Sequence, residues 1–235
     1  MSIAAGESRE RRGRANLLTP VLIDNRAGIA HNVAVAVSWR QMMQPYDPLD
    51  YDNLARSVVD ALLAEQEQPI PPGEAFEGAG VYAIYYHGDF SAYSELVKAD
   101  RPPPIYVGKA VPTGARKGGR RSPAGRELYQ RLKQHSRSIE QVDNLELKHF
   151  TCRYLVVVPV WITLAERFLV EHYKPLWNVA IDGFGNHDPG AGRRGMKRPL
   201  WDILHPGRPW AAKLTPEESF EEVLQRLHAL LDQEA

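Results

Sequence analysis

The sequence predicts an α/β (α+β) domain with three short strands and flanking helices. Two observations carry this. Three short runs rich in β-branched and aromatic residues are separated by segments whose apolar residues recur at helical spacing. The length of 235 residues suits one domain with a genuine core plus an appended arm. The expected division is 1–45 as an N-terminal arm or extension and 46–235 as a single domain with C-terminal recognition and helical elements.

Residues 1–20 are rich in Arg, Gly and Ser and read as an arm, and 21–45 fit no clear element. From Leu49 to Glu65, Leu54, Val58, Ala61 and Leu62 form one apolar stripe of a helix. Pro69, Pro71, Pro72 and Gly73 end it and make a connector. Val81–Tyr86 is the first strand. Tyr93–Ala99 has helical character, and Pro102, Pro103 and Pro104 deliver the chain extended into a second strand, Ile105–Val107. Residues 111–125 are a long basic loop, a length that compact domains reserve for function or disorder. Glu127–Ser138 is an amphipathic helix with Leu128, Leu132 and the following Ile139 inward. His149–Val158 is the third strand, and Ile162–Tyr173 is a helix that Pro175 stops. The last helix, Pro216–Asp232, has the capping pattern of Thr215 with Glu218.

The single cysteine, Cys152, excludes an internal disulfide and any cysteine-rich zinc site, and suits a reducing cytoplasm. No run approaches the roughly 20 apolar residues of a membrane helix. Arg9, Arg11, Arg12 and Arg14 follow the start without a hydrophobic stretch, so no secretory signal and a cytoplasmic location are expected. Net charge is zero, but the charges are segregated. Lys98–Arg137 holds eleven Lys or Arg against two acids, and Gly183–Lys213 six against two. Residues 46–79 and 214–235 hold eight and six acids against one Arg each. Local basic fields of this kind attract polyanions in a molecule that is neutral as a whole.

The chemistry-bearing residues fall in a suggestive order. Gly80-Val81-Tyr82 is followed by Tyr106-Val107-Gly108-Lys109. Alternation along the first strand puts Tyr82 on a face with Ile84 and Tyr86, opposite Val81, Ala83 and Tyr85. If the two strands are neighbours, Tyr82 and Tyr106 stand side by side. Arg131 and His135, four apart on a helix, project from one face beside Leu128 and Leu132. Glu166 shares its helix stripe with Leu169, Val170 and Tyr173, where a carboxylate needs a partner, either an Arg or a metal ion. Asn178 follows just past the helix end. Gly108-Lys109 is not a nucleotide-binding lysine, because Ala110 stands where Ser or Thr is required.

In this order the residues resemble the GIY-YIG nuclease superfamily. Longer strings, 78–83, 104–112, 173–178, 182–187 and 205–208, are similar to its type II restriction endonuclease branch that cuts the palindrome CCGCGG. The resemblance covers about residues 70–213 and leaves residues 1–45 as an addition. It implies a small three-stranded antiparallel sheet flanked by helices, and hydrolysis of a phosphodiester in double-stranded DNA. It further implies one Mg²⁺ per active site, replaceable by Mn²⁺. Carried across, Tyr82 is the general base, with Lys109, His135 and Tyr106 favouring its phenolate. Glu166 holds the metal, Arg131 clamps the phosphate, and Asn178 steadies the Glu166 segment. Candidate DNA contacts are Arg116, Lys117, Arg120 and Arg121 in the loop, and Arg193, Arg194, Lys197, Arg198 and Arg208 nearer the C-terminus. A palindromic target implies a homodimer and a cognate DNA methyltransferase in the cell. The rival readings are a repair or homing nuclease of the same superfamily and a catalytically silent DNA-binding protein.

Overall fold

The structure is a computed structural model that describes residues 47–112, 125–188 and 195–234. The expected arm, 1–45, lies outside the described residues. Among the described residues four strands, not three, form one sheet: β1 (Gln68–Pro69), β2 (Gly80–Tyr86), β3 (Tyr106–Ala110) and β4 (Phe150–Val156). Their order is β1-β4-β2-β3, and every pair is antiparallel. The extra strand is two residues of the proline-rich connector, pairing Gln68 with Cys152 and Pro69 with Thr151. Two residues carry no alternation to read, and proline is tolerated there because β1 is an edge strand.

β2 is buried along its whole length, and its alternation separates two cores. Tyr82, Ile84 and Tyr86 face a cluster with Leu128, Leu132 and Ile139 of α3 (Glu127–Glu140), joined by Trp177, Phe184 and Trp201. Val81, Ala83 and Tyr85 face Val59 and Leu62 of α1 (Tyr51–Ala64) and Ile162, Ala165 and Leu169 of α4 (Ile162–Tyr173). A short helix, α2 (Ser94–Lys98), precedes β3. Asp50 caps α1 by accepting from the Asp52 amide at 2.9 Å. α4 ends at Lys174, whose φ of 41° turns the chain into Pro175. The start of α3 has no side-chain cap; instead the Leu128 amide donates to the Gly78 carbonyl at 3.0 Å, tying the helix to the chain leading into β2.

Three helices follow: α5 (Leu176–Val179), α6 (Leu200–Leu204) and α7 (Phe220–Glu234). The first two are single turns, too short to show a period. The capping pair of α7 is Ser219 with Glu222, four residues beyond the expected Thr215 and Glu218. The Ser219 amide donates to Glu222 Oε2 at 2.7 Å and the Glu222 amide to Ser219 Oγ at 3.2 Å. Both pairs fit the capping spacing, but only the second directly precedes the buried Val223 and Leu227. Glu218 pairs with Arg226 instead.

A polar chain crosses the first core. Trp177 Nε1 donates to Tyr93 Oη at 2.7 Å, and Tyr93 Oη donates to His205 Nε2 at 2.5 Å. His205 Nδ1 then donates to Asn144 Oδ1 at 2.9 Å. This order needs a neutral imidazole, and burial pushes the His205 pKa down to about 3. An unfolded histidine titrates near 6.5, so between pH 6.5 and 3 the unfolded chain binds a proton that the folded chain refuses. Stability is therefore lost as pH falls through that window. Urea unfolding should show about 2 kcal/mol less stability at pH 5 than at pH 8 from this residue. His205→Gln should flatten that slope by one proton; an unchanged slope in the variant would refute the assignment.

Candidate active site

The register of β2 on β3 places Tyr82 opposite Gly108 and Ile84 opposite Tyr106. Tyr82 and Tyr106 are thus diagonal neighbours on one face, with ring centroids 6.2 Å apart. The Tyr82 ring fits only because position 108 lacks a side chain: a Cβ there would sit 2.4 Å from Tyr82 Oη and 2.6 Å from its Cζ. α3 lies across this face and lowers His135 onto Tyr82, Nε2 to Oη, at 2.6 Å. Both residues are buried, and Phe184 stacks on the imidazole at 4.5 Å while meeting Tyr106 edge-on at 4.9 Å.

Burial decides the charge states. The His135 pKa lies well below the ordinary value, through burial first and then the nearby Arg131 charge. The imidazole is therefore neutral and accepts the Tyr82 proton in the hydrogen bond. The Tyr82 pKa lies well above its ordinary value, through burial and then Tyr106, with Arg131 opposing. Tyr106 is raised by burial too, again against Arg131. Of Lys109, His135 and Tyr106, expected to favour a Tyr82 phenolate, only His135 contacts the Tyr82 hydroxyl as a proton acceptor. Tyr106 disfavours the phenolate, Arg131 is the cation that favours it, and Lys109 is engaged elsewhere.

Lys109 alternates with Gly108 and so shares the Val107 face, which α4 covers. Its ammonium forms an ion pair with Glu166 of α4, the two side chains being 31% and 25% exposed. The carboxylate's partner is thus a lysine, not the arginine that was expected as one option. Asn178 on α5 secures the outer edge of β3. Its Oδ1 accepts from the Val107 amide at 2.8 Å and its Nδ2 donates to the Val107 carbonyl at 2.9 Å. The side-chain amide thereby stands in for a missing neighbouring strand.

Arg131 donates from Nη2 to the Gly185 carbonyl at 3.0 Å and from Nη1 to Gln134 Oε1 at 3.2 Å. Nη1 also donates to His187 Nε2. His187 and Phe184 belong to a glycine-rich turn and gave no periodic signal; the 182–187 string contains both, and the run Asn186-His187-Asp188 separately marks His187 as a residue of a structured turn or DNA-facing loop.

The remaining basic candidates separate. Arg116, Lys117, Arg120, Arg121, Arg193 and Arg194 lie outside the described residues. Lys197 pairs with Glu217 at 3.4 Å, and Arg198 donates to the Ala211 and Ala212 carbonyls at 3.1 and 3.0 Å. Arg208 is a correction: it is 1% exposed and bound to Asp202, so it faces the interior and not a DNA surface.

Among the described residues no group of three or more His, Cys, Asp or Glu could hold a metal. Of the described site residues named above, Glu166 is the one carboxylate, and it is partly exposed. That suits Mg²⁺, which keeps several waters and is held by one or two carboxylates plus substrate phosphate.

A small antiparallel sheet carrying two diagonal tyrosines, an Arg–His pair on the covering helix and a carboxylate across the edge strand defines a GIY-YIG nuclease domain. Residues 74–231 match the family described as the Eco29kI GIY-YIG domain, and the chain belongs to that family of restriction endonucleases acting on double-stranded DNA. No curated protein matches the chain. Among the described residues no helix is long and apolar enough to cross a membrane.

Gly108→Ala tests the geometry directly. The added Cβ forces the Tyr82 ring away from His135. Overpacking of this kind costs about 1–3 kcal/mol, and cleavage should fall by about tenfold or more. Urea midpoints and cleavage rates measure the two; a variant matching wild type in both would contradict the fit described.

Proposed function

We propose that the protein cleaves double-stranded DNA at a GC-rich palindrome, CCGCGG, as a homodimer, with Tyr82 and His135 handling the proton of the attacking water. The observation that carries this is the buried Tyr82 O–H held 2.6 Å from a neutral His135. A phenol with a raised pKa is no base by itself. In contact with a neutral imidazole it is a relay: as Tyr82 takes a proton from water, it passes its own to His135. A charged imidazolium beside Arg131 is unfavourable in the free protein. The incoming phosphodiester offsets that repulsion with its negative charge, so the relay becomes competent when substrate is present.

Arg131 supplies positive charge where the transition state gathers negative charge. Glu166 would hold Mg²⁺, which when bound polarises the phosphate and neutralises the leaving oxygen. Lys109 keeps the Glu166 carboxylate oriented, and Asn178 fixes the β3 edge that carries both Tyr106 and Lys109. Two-fold symmetry of the target favours two copies of this single site. Guanine-reading arginines belong in the major groove, and the segments around 116–121 and 193–194 are the candidates. A methyltransferase protecting the same sequence and a cytoplasmic location go with this reading.

The test is cleavage of a plasmid with one CCGCGG site in Mg²⁺. Wild type should linearise it there. Tyr82→Phe should lower the rate by about 10²–10⁴, and Glu166→Ala should abolish metal-dependent cutting. Cleavage indifferent to both substitutions would sink the mechanism. Nicking that follows DNA structure instead of sequence would replace the restriction reading with a repair-type one.

A further inference from the structure

The turn Gly183–His187 reaches three members of the site at once. Phe184 packs on His135 and Tyr106, the Gly185 carbonyl accepts from Arg131 at 3.0 Å, and His187 Nε2 accepts from the same guanidinium. The approach is close enough that a Cβ on Gly185 would lie 2.8 Å from Tyr106 Oη and 3.1 Å from Arg131 Nη2.

The same turn is gripped from behind. Arg208 Nη2 donates to the Gly183 carbonyl at 2.9 Å, and Nη1 donates to the carbonyls of Phe184 at 3.2 Å and Asn186 at 3.1 Å. Its fork is completed on Asp202, with Nε to Oδ1 at 2.6 Å and Nη2 to Oδ2 at 2.5 Å. Trp201 and Trp210 flank the guanidinium, with ring centroids 4.5 and 4.8 Å from its central carbon. A buried ion pair contributes little net stability compared with well-packed apolar residues. What this one supplies is a set of donors for three carbonyls that the turn points inward, groups that cannot be left unpaired. Satisfying them fixes the turn, and the fixed turn presents Gly185 and His187 to Arg131.

We propose that Gly183–His187 is a clamp that preorganises Arg131, with His187 as the positioning residue and Arg208 on Asp202 as the clamp's anchor. The proposal rests on the reading above that Arg131 faces the scissile phosphate. Arginine is a long side chain with many rotamers, and one already aimed at its target gives up less freedom when the substrate arrives. His187 is an exposed residue whose pKa is lowered from the ordinary value by partial desolvation and by the charges of Arg131 and Arg208, which favours Nε2 as the acceptor it is in the contact with Arg131. The clamp would not touch the reacting atoms, so its loss should appear in the chemical step and not in DNA binding.

A double-mutant cycle separates positioning from any independent role. Single-turnover cleavage of a CCGCGG duplex would be measured for wild type, His187→Ala, Arg131→Ala and the double variant, with DNA affinity read by anisotropy in Ca²⁺. His187→Ala should slow cleavage by about 10- to 100-fold with affinity unchanged, and His187→Gln, which keeps an acceptor, should recover most of the rate. The double variant should be no slower than Arg131→Ala alone. Multiplicative losses, or a full rate in His187→Ala, would overturn the proposal. Arg208→Lys should reproduce the His187→Ala rate defect; if it fails to fold, the His187 series decides. In protein without DNA, the Arg131 guanidinium NMR signals should be separate and slowly exchanging in wild type and averaged in His187→Ala. Signals equally averaged in both would overturn the clamp. If wild type cuts no CCGCGG duplex, the functional reading fails, while this NMR comparison still decides the clamp.

Discussion

The antiparallel register of β2 against β3 is the constraint on which the rest of the site depends. It sets Tyr82 against Gly108, so a full phenol ring occupies space that any side chain at 108 would take. It puts Tyr106 on the same face as Tyr82 and Lys109 on the other. It also turns the Val107 amide and carbonyl outward, where Asn178 pairs with both. A slip of one residue would exchange the two faces of β3. Tyr106 would leave the Tyr82 cluster, and Lys109 would leave Glu166. The two tyrosine triplets of the sequence are the visible trace of this register. The glycines in them have separate duties. Gly108 makes room for Tyr82, and at Gly80 a Cβ would lie 2.0 Å from the Leu155 carbonyl oxygen of β4.

The core holds two buried Tyr–His pairs, and their surroundings give them different capacities. Tyr93 and His205 are closed at both ends. Trp177 donates to the phenol, Asn144 accepts from the imidazole, and every polar atom is spoken for. Tyr82 and His135 have the same hydrogen bond but lie beside Arg131 and Tyr106. In the proposed reading an added negative charge beside Arg131 would act on the second pair. Burial drives both histidines neutral and raises both phenols. Under the proposed function, a cation on the substrate side, not the pair itself, would make Tyr82 and His135 a relay and leave Tyr93 and His205 a strut.

What the sequence made legible follows from how each signal is generated. Strand alternation assigned Tyr82, Ile84 and Tyr86 to one core and Val81, Ala83 and Tyr85 to the other, because β2 is buried on both faces. The i,i+4 spacing of Arg131 and His135 places both on the α3 face that meets the sheet, since a helix period is a local property. The bounds of α4 were readable because Pro175 follows it. Features that depend on tertiary partners were not readable. β1 exists only because β4 offers a free edge to Gln68 and Pro69. The α7 cap is chosen by which turn buries Val223 and Leu227, between two pairs of equal spacing. Arg208 looked like its neighbours in a basic stretch, and only Asp202, six residues back, with the turn from Gly183 to Asn186 takes it inside. Phe184 and His187 gave no periodic signal for the related reason that turns have no period, and only motif strings singled them out.

The site is built around an edge strand, and this explains its division of charge. Among the described residues β3 pairs with β2 alone and so is an edge strand, with one group of side chains on each face. Arg131 is neutralised by no carboxylate in the contacts described; it is held by neutral acceptors, the Gly185 carbonyl, Gln134 and His187. Lys109, by contrast, is matched to Glu166. An uncompensated guanidinium repels a protonated His135 and attracts a phosphodiester. A compensated ammonium leaves the carboxylate held in place, with one charge balanced. Exposed edges invite pairing with other chains, and a free β3 would be at risk of it. Asn178 removes that risk by satisfying Val107 with a side chain instead of a strand. Val107 is thus closed to strand pairing, with Tyr106 and Arg131 on one face of β3 and the paired Lys109 and Glu166 on the other.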